Sequence, residues 1–258
     1  MTAISDDRLL AEVTSSTATV AQLISGADLT QRVPTCPDWT VRQLATHMGR
    51  AHRWAAAIVD TRSAEPIPFR EVPDGRLPDD PREQPGWLTD GAAKLAGAVQ
   101  AAGSDPVWTH LGLHPAGYWA RRMAHETAVH RADAQLAFGQ PPVIDADIAS
   151  DGIDEWLGLL QLQPFQPTGE QASPLAGGRV MHLHTTDDRD GTGGEWLLRG
   201  GPAGLTVEAG HGKGDVAVRG PASALMLILV RRLPPDTPGV EVIGDRGLLD
   251  AWLAATPF

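Results

Sequence analysis

A single cysteine, Cys36, stands in 258 residues. An internal disulfide framework is therefore excluded, and a reducing cytosol suits the chain. Basic residues are also few: 21 Lys and Arg against 32 Asp and Glu leave a formal charge of −11. Binding a phosphate backbone needs a basic face, so nucleic acid is excluded as the main partner. No run of about 18 apolar residues occurs, so no transmembrane helix and no membrane partner are expected. The opening Met1-Thr-Ala-Ile-Ser-Asp-Asp7 lacks the basic region and apolar stretch of a signal peptide. Repeats and low-complexity tracts are missing as well. A cytoplasmic protein is expected. What remains is ordinary for a globular chain, with 42% hydrophobic and 21% charged residues. The length suffices for one large domain or two modest ones.

The chain has two halves with different periodicities. Residues 1–140 read as helices. From Asp6 to about Ser25 an apolar face is formed by Leu9, Leu10, Val13, Val20, Leu23 and Ile24. After Pro34 and Pro37, Thr40-Val-Arg-Gln43 fits a capping box. The helix it opens runs to about Asp60 and buries Val41, Leu44, Met48, Ala51, Ala55 and Ile58. Residues 61–86, rich in proline and acid, read as a long loop. Further helices are predicted over 87–102 and 117–138, the last with an inward row of Trp119, Met123, Glu126, His130 and Ala134. Four such helices fit a four-helix bundle, a fold that builds metal sites from inward side chains on facing helices. Residues 141–174 read as a linker containing a short helix from about Ile148 to Gln161. From 175 to 258 the period becomes that of strands, at 179–185, 195–199, 205–208, 215–219 and 240–243, with helices at 222–232 and 247–255. The Asp/Gly run 187–194 reads as a hairpin loop. The fold class is α+β, a helical bundle followed by a small α+β domain.

Glu126 and His130 are the most informative pair. Four residues apart on a helix, they lie one above the other. A carboxylate and an imidazole so placed can grip one divalent ion with a third ligand from a neighbouring helix, leaving an open position. The adjacent His125–Glu126 dipeptide resembles a zincin motif, but His130 follows His125 by five residues. At about 100° per residue the two histidines stand roughly 140° apart and cannot share an ion. His47, near the buried stripe of the second helix, is the candidate third ligand. Two alternatives stay open: His47 as a hydrogen-bonded core histidine, and Glu126 in a salt bridge to Arg53, Arg121, Arg122 or Arg131. His52, five residues from His47, competes as donor. His110 and His114 read as loop histidines. His182 and His184 share one face of a strand, but no carboxylate or cysteine partner is evident nearby, so they read as plain strand residues. Cys36 reads as a buried thiol.

Val33-Pro-Thr-Cys-Pro-Asp-Trp-Thr-Val-Arg-Gln-Leu-Ala-Thr-His47 and Tyr118-Trp-Ala-Arg-Arg-Met-Ala-His-Glu-Thr-Ala-Val-His-Arg-Ala-Asp133 resemble the two helical signatures of the mycothiol-dependent maleylpyruvate isomerase family. That family lies within the wider DinB/YfiT-like group of metal-binding four-helix bundles. His184-Thr-Thr-Asp187, Glu195-Trp196 and Val218-Arg-Gly-Pro-Ala-Ser-Ala-Leu225 are similar to its C-terminal domain. The resemblance implies that His47, Glu126 and His130 hold a divalent metal, usually zinc, and that mycothiol is the cosubstrate. The thiol would add to the double bond of maleylpyruvate; rotation about the resulting single bond and expulsion of the thiol would complete the isomerisation. Relatives in the wider group transfer the thiol to electrophiles instead. A C-terminal arginine is implied in handling the anionic small-molecule electrophile, and Arg231, with Arg232 beside it, is the match. Asp133 reads as an orienting partner for a ligand or as a surface ion pair. The substrate pocket is expected between the bundle and the C-terminal domain, in a monomer or homodimer. The rival readings are a non-catalytic metal-binding or stress-response protein, its metal closed by a fourth ligand, and a metal-dependent hydrolase with His52 as base.

Overall fold

The computed structural model describes residues 4–162, 173–187, 194–201 and 204–256. Most of the Asp/Gly run 187–194 and residues 163–172 of the 141–174 stretch lie outside the described residues. The chain forms two compact units, Ile4–Val143 and Ile144 onward.

In the first unit four long helices pack together: α1 (Asp6–Ile24), α2 (Val41–Asp60), α3 (Gln84–Ala102) and α4 (Gly117–Ala137). Helix α1 lies against α3 and α4, and α2 lies against the same two. The Ser5 hydroxyl accepts the Arg8 N–H at the start of α1. The capping box of α2 is complete: Thr40 Oγ1 accepts the Gln43 N–H, and Gln43 Oε1 accepts the Thr40 N–H. Those side chains satisfy donors that a helix N-terminus leaves free. The core joins Val20 and Ile24 of α1, Val41, Leu44 and Met48 of α2, and Leu88 of α3. Gly49 allows α3 to come close to α2, because a Cβ there would fall 2.1 Å from the Trp87 ring.

The helical half also holds two short hairpins that the helical periodicity does not foresee. They are β1 (Arg32–Val33) with β2 (Cys36–Thr40), and β3 (Pro106–Thr109) with β4 (Gly112–Pro115). Strands this short carry too little alternation to register as a period of two. The first hairpin turns at Pro34, where the sequence is punctuated, and leads directly into the α2 cap. The long 61–86 loop contains one 3-10 turn, Phe69–Glu71.

The second unit is a five-stranded sheet ordered β7-β6-β5-β8-β9, comprising β5 (Val180–Thr185), β6 (Glu195–Gly201), β7 (Gly204–Ala209), β8 (Val216–Gly220) and β9 (Glu241–Gly244). Neighbours are antiparallel except β5 and β8. Helices α5 (Ala146–Leu160), α6 (Ala222–Leu229) and α7 (Arg246–Ala255) complete it. Helix α5, assigned to the linker from sequence, packs on α6 within this unit. One sheet face carries Met181, Leu183, Trp196 and Leu198, all buried. Trp196 Nε1 donates to Asp154 of α5, so this face is the one the helix covers.

Helix α6 stops at Leu229, short of the predicted Arg232. Arg231 adopts a left-handed backbone with φ of 59°. Its N–H donates to the Ile228 carbonyl, and that of Arg232 to the Leu227 carbonyl. This is a Schellman termination with arginine where glycine is usual.

Candidate metal centre

His47 comes from the middle of α2, and Glu126 and His130 from successive turns of α4. Glu126 Oε1 lies 3.4 Å from His47 Nε2 and 3.3 Å from His130 Nε2. The two imidazole centroids are 4.9 Å apart and nearly perpendicular. One donor atom from each of the three lies within 4.8 Å of the others. Among the described residues this cluster holds three protein donors and no fourth.

Two of the donors are oriented from behind, His130 by Asp133 and Glu126 by Arg122. His130 Nδ1 is 2.8 Å from Oδ2 of Asp133, a fully buried carboxylate. The ionised carboxylate can only accept, so Nδ1 carries the proton and the Nε2 lone pair points at the cluster. Asp133 is held in turn by the β1–β2 hairpin: Thr35 Oγ1 donates to Oδ1 at 2.5 Å, and Cys36 Sγ lies 3.8 Å from Oδ2. Arg122, one turn before Glu126, donates to Oε2 and leaves Oε1 facing the two histidines. Burial acts to raise the Glu126 pKa, but Arg122 and the hydrogen bonds from His130 and His47 outweigh it, and the carboxyl sits well below its usual range. For His130, burial acts to lower the pKa, yet the hydrogen bonds to Asp133 and Glu126 carry it to about 9 in the absence of an ion. A divalent cation competes with that proton for the same lone pair. The residues therefore fit a metal: two imidazoles, one of them held by a buried carboxylate, and one ionised carboxylate converge on a point.

The salt-bridge alternative for Glu126 can now be judged by geometry. Of the arginines considered, Arg122 pairs with it. Arg53 is instead buried over the Trp87 ring and bonded to Asp74 and Asp90, and Arg131 pairs with Glu12. Trp39 of β2 lies against His47 and His130, with centroids 4.9 and 5.9 Å away, and Phe69 lies 5.9 Å from His47. Sequence reasoning missed both as site residues. Trp39 stood inside the quoted signature, whereas nothing local marked Phe69, whose place depends on how the long loop folds back. His125 is buried but does not join the three donors.

His52 is buried, and its Nε2 is 2.8 Å from Thr127 Oγ1. It is absent from the donor cluster. Burial, followed by the neighbouring Arg53, drives its pKa down to about 3 against the pull of Glu126. His110 packs among Trp54, Trp108 and Trp119, and His114 is exposed on β4. Arg231 is exposed and belongs to the second unit. On the β5–β6 hairpin, His182 and His184 do have a carboxylate neighbour, Glu195, contrary to the sequence reading.

Residues 9–135 match the family described as the mycothiol maleylpyruvate isomerase N-terminal domain, and residues 147–251 match the MDMPI C-terminal domain. Two solved structures share the fold, a mycothiol-dependent maleylpyruvate isomerase and a histidine-to-alanine mutant of an isomerase so named. They are 18% and 16% identical, with TM-scores of 0.55 and 0.58, and each comparison covers 93% of both chains. Nothing among the curated proteins matches the chain.

Proposed function

The chain belongs to the mycothiol-dependent maleylpyruvate isomerase family, and from that premise we propose that it is an enzyme using mycothiol to isomerise, or to be transferred onto, a small anionic electrophile. The observation that carries this reading is the convergence of His47, Glu126 and His130 with no fourth protein donor among the described residues. Three protein ligands with an open position is the arrangement of a catalytic site, whereas structural sites are closed by four. Bound there, zinc or a similar divalent ion would supply the Lewis acidity that holds a thiol in its deprotonated, nucleophilic form.

The chain's own residues have separate tasks. His47, Glu126 and His130 hold the ion. Asp133 keeps the His130 proton on Nδ1, and Arg122 occupies the outer oxygen of Glu126. Trp39 and Phe69 wall the donors with aromatic surface and limit the access of water. No cysteine is required as nucleophile, and Cys36 lies beside the Asp133 carboxylate, whose negative charge opposes formation of a thiolate. Arg231 is assigned to recognition of the substrate carboxylate by its family resemblance. Its strained backbone supports this, since an arginine kept where glycine would be more stable has a use other than ending a helix.

The rival readings lose their key residue. A closed structural site needs His52 or a loop histidine as fourth ligand, and His52 is engaged with Thr127. A hydrolase needs a general base, and an imidazole with a pKa of about 3 is too weak a base at neutral pH. Calorimetric titration of mycothiol into zinc-loaded and metal-stripped protein tests the proposal. Binding confined to the loaded form is expected, and maleylpyruvate is the first electrophile to assay. Absence of binding in both forms would refute the thiol mechanism. His130→Ala should lose the metal of this site and all turnover while keeping the helical circular dichroism; a fully active variant without that metal would do the same damage.

A further inference from the structure

The sheet of the second unit carries another convergence of donors. His182 and His184 alternate on β5, so both point to the face opposite Met181 and Leu183. In the β5–β6 register His184 pairs directly with Glu195, and His182 with Leu197. Cross-strand partners project to the same side, which places the carboxylate among the imidazoles. Strand β7 pairs with β6 as far as Ala209 opposite Trp196, and the Gly210 N–H then donates to the Glu195 carbonyl. Beyond it the chain folds over the sheet. A Cβ at Gly212 would fall 2.7 Å from Leu197 Cδ1, so the backbone is pressed against this face. That turn delivers His211 to the same point.

Glu195 Oε2 lies 3.1 Å from His211 Nδ1 and 3.8 Å from His182 Nε2, and Oε1 lies 3.3 Å from His184 Nδ1. One donor from each of the four residues is within 4.8 Å of the others. In a tetrahedral zinc site, metal–nitrogen distances of about 2.0–2.1 Å put donors roughly 3.3 Å apart. Small rotamer changes would close the gap. His182 supplies an independent indication. Its side chain is only 6% exposed, and its Nε2, aimed into the cluster, has no hydrogen-bond partner. A buried imidazole nitrogen left unsatisfied carries a desolvation cost that a bound cation would remove. A single carboxylate already contacted by His184 and His211 does not relieve it.

We propose that His182, His184, Glu195 and His211 form a second metal site, a closed four-ligand site for a borderline divalent ion such as zinc, separate from the bundle centre. Three imidazoles and one carboxylate suit zinc or cobalt and disfavour magnesium or calcium, which want oxygen donors. With all four positions filled by protein, the ion ties the β5–β6 hairpin to the segment after β7 and takes no part in turnover. His211, with 77% of its side chain exposed, gives the ion a route of entry.

The test is zinc stoichiometry of the protein stripped of metal and reloaded with zinc, read by elemental analysis after desalting, beside His130→Ala treated alike, which disables the bundle centre alone. His130→Ala should retain one tightly bound zinc per chain, show tetrahedral cobalt(II) absorption when loaded with cobalt, and melt at a higher temperature with zinc than without. Adding His184→Ala and His211→Ala should abolish all three; both side chains reach solvent, so the fold is not at risk, and circular dichroism checks it. Failure of His130→Ala to bind zinc would overturn the proposal, as would binding unchanged by the two sheet substitutions. The bundle centre is judged separately: in the His184→Ala, His211→Ala protein with His130 intact, one zinc and mycothiol binding should both remain.

Discussion

Asp133 is the least exposed carboxylate of the bundle centre, and its oxygens are held between His130 Nδ1, the Thr35 hydroxyl and the Cys36 thiol. Asp133→Asn should keep the shape but present an amide to an imidazole that needs an acceptor, releasing the tautomer. Zinc affinity is expected to fall about 10–100-fold, the cost usual for losing such an orienting partner; competition with a chelator measures it. Arg231 offers the opposite pattern. A left-handed backbone costs a non-glycine residue about 1–2 kcal/mol, so Arg231→Gly should raise stability to urea by about 1 kcal/mol while turnover of an anionic substrate collapses. An active glycine variant would remove Arg231 from the reaction.

Helix α2 shows how one element serves both fold and site. Its capping box sets the starting residue, its apolar stripe sets its rotation, and together they turn His47 toward α4. Gly49, two residues on, lets the Trp87 ring of α3 lie against the helix backbone. Gly49→Ala should therefore destabilise the bundle by about 1–3 kcal/mol despite alanine's better helix propensity, seen as a lower urea midpoint. These features of α2 were legible locally, because a cap and a 3.6-residue period are properties of one segment. The β1–β2 hairpin was not, although it brings Trp39, Thr35 and Cys36 to the centre. Two-residue pairing leaves no period to read, and its stability comes from what it packs on.

For the molecule as a whole, pH adds a test centred on a residue outside the donor set. His52 is neutral in the folded state because burial, then Arg53, depresses its pKa to about 3, whereas the unfolded chain titrates near the ordinary 6.5. A folded pKa below the unfolded one means that the contribution is fully present above pH 6.5. It is lost progressively as pH falls toward 3, where the folded state finally takes up the proton. Between pH 6.5 and 5 the metal-free protein should lose about 2 kcal/mol from this residue alone. Urea unfolding across that range measures the loss, and His52→Gln should show a flatter profile than the parent. A parallel profile would mean that His52 does not govern acid stability.

The helices, the sheet strands and the pair Glu126–His130 were determined by sequence alone, because each rests on spacing inside a single element, where rise and turn per residue are constants. Even the error of ending α6 at 232 was local, since an arginine in a glycine position gives no stop signal. The tertiary structure decided what joins separate elements: that Arg122 rather than Arg53 or Arg131 pairs with Glu126, that Phe69 returns to His47, and that His52 turns to Thr127. It also decided that Glu195 and His211 meet two histidines which looked solitary along the chain. Strand register and helix docking make those contacts, and both follow from the packing of whole faces rather than from the order of neighbouring residues.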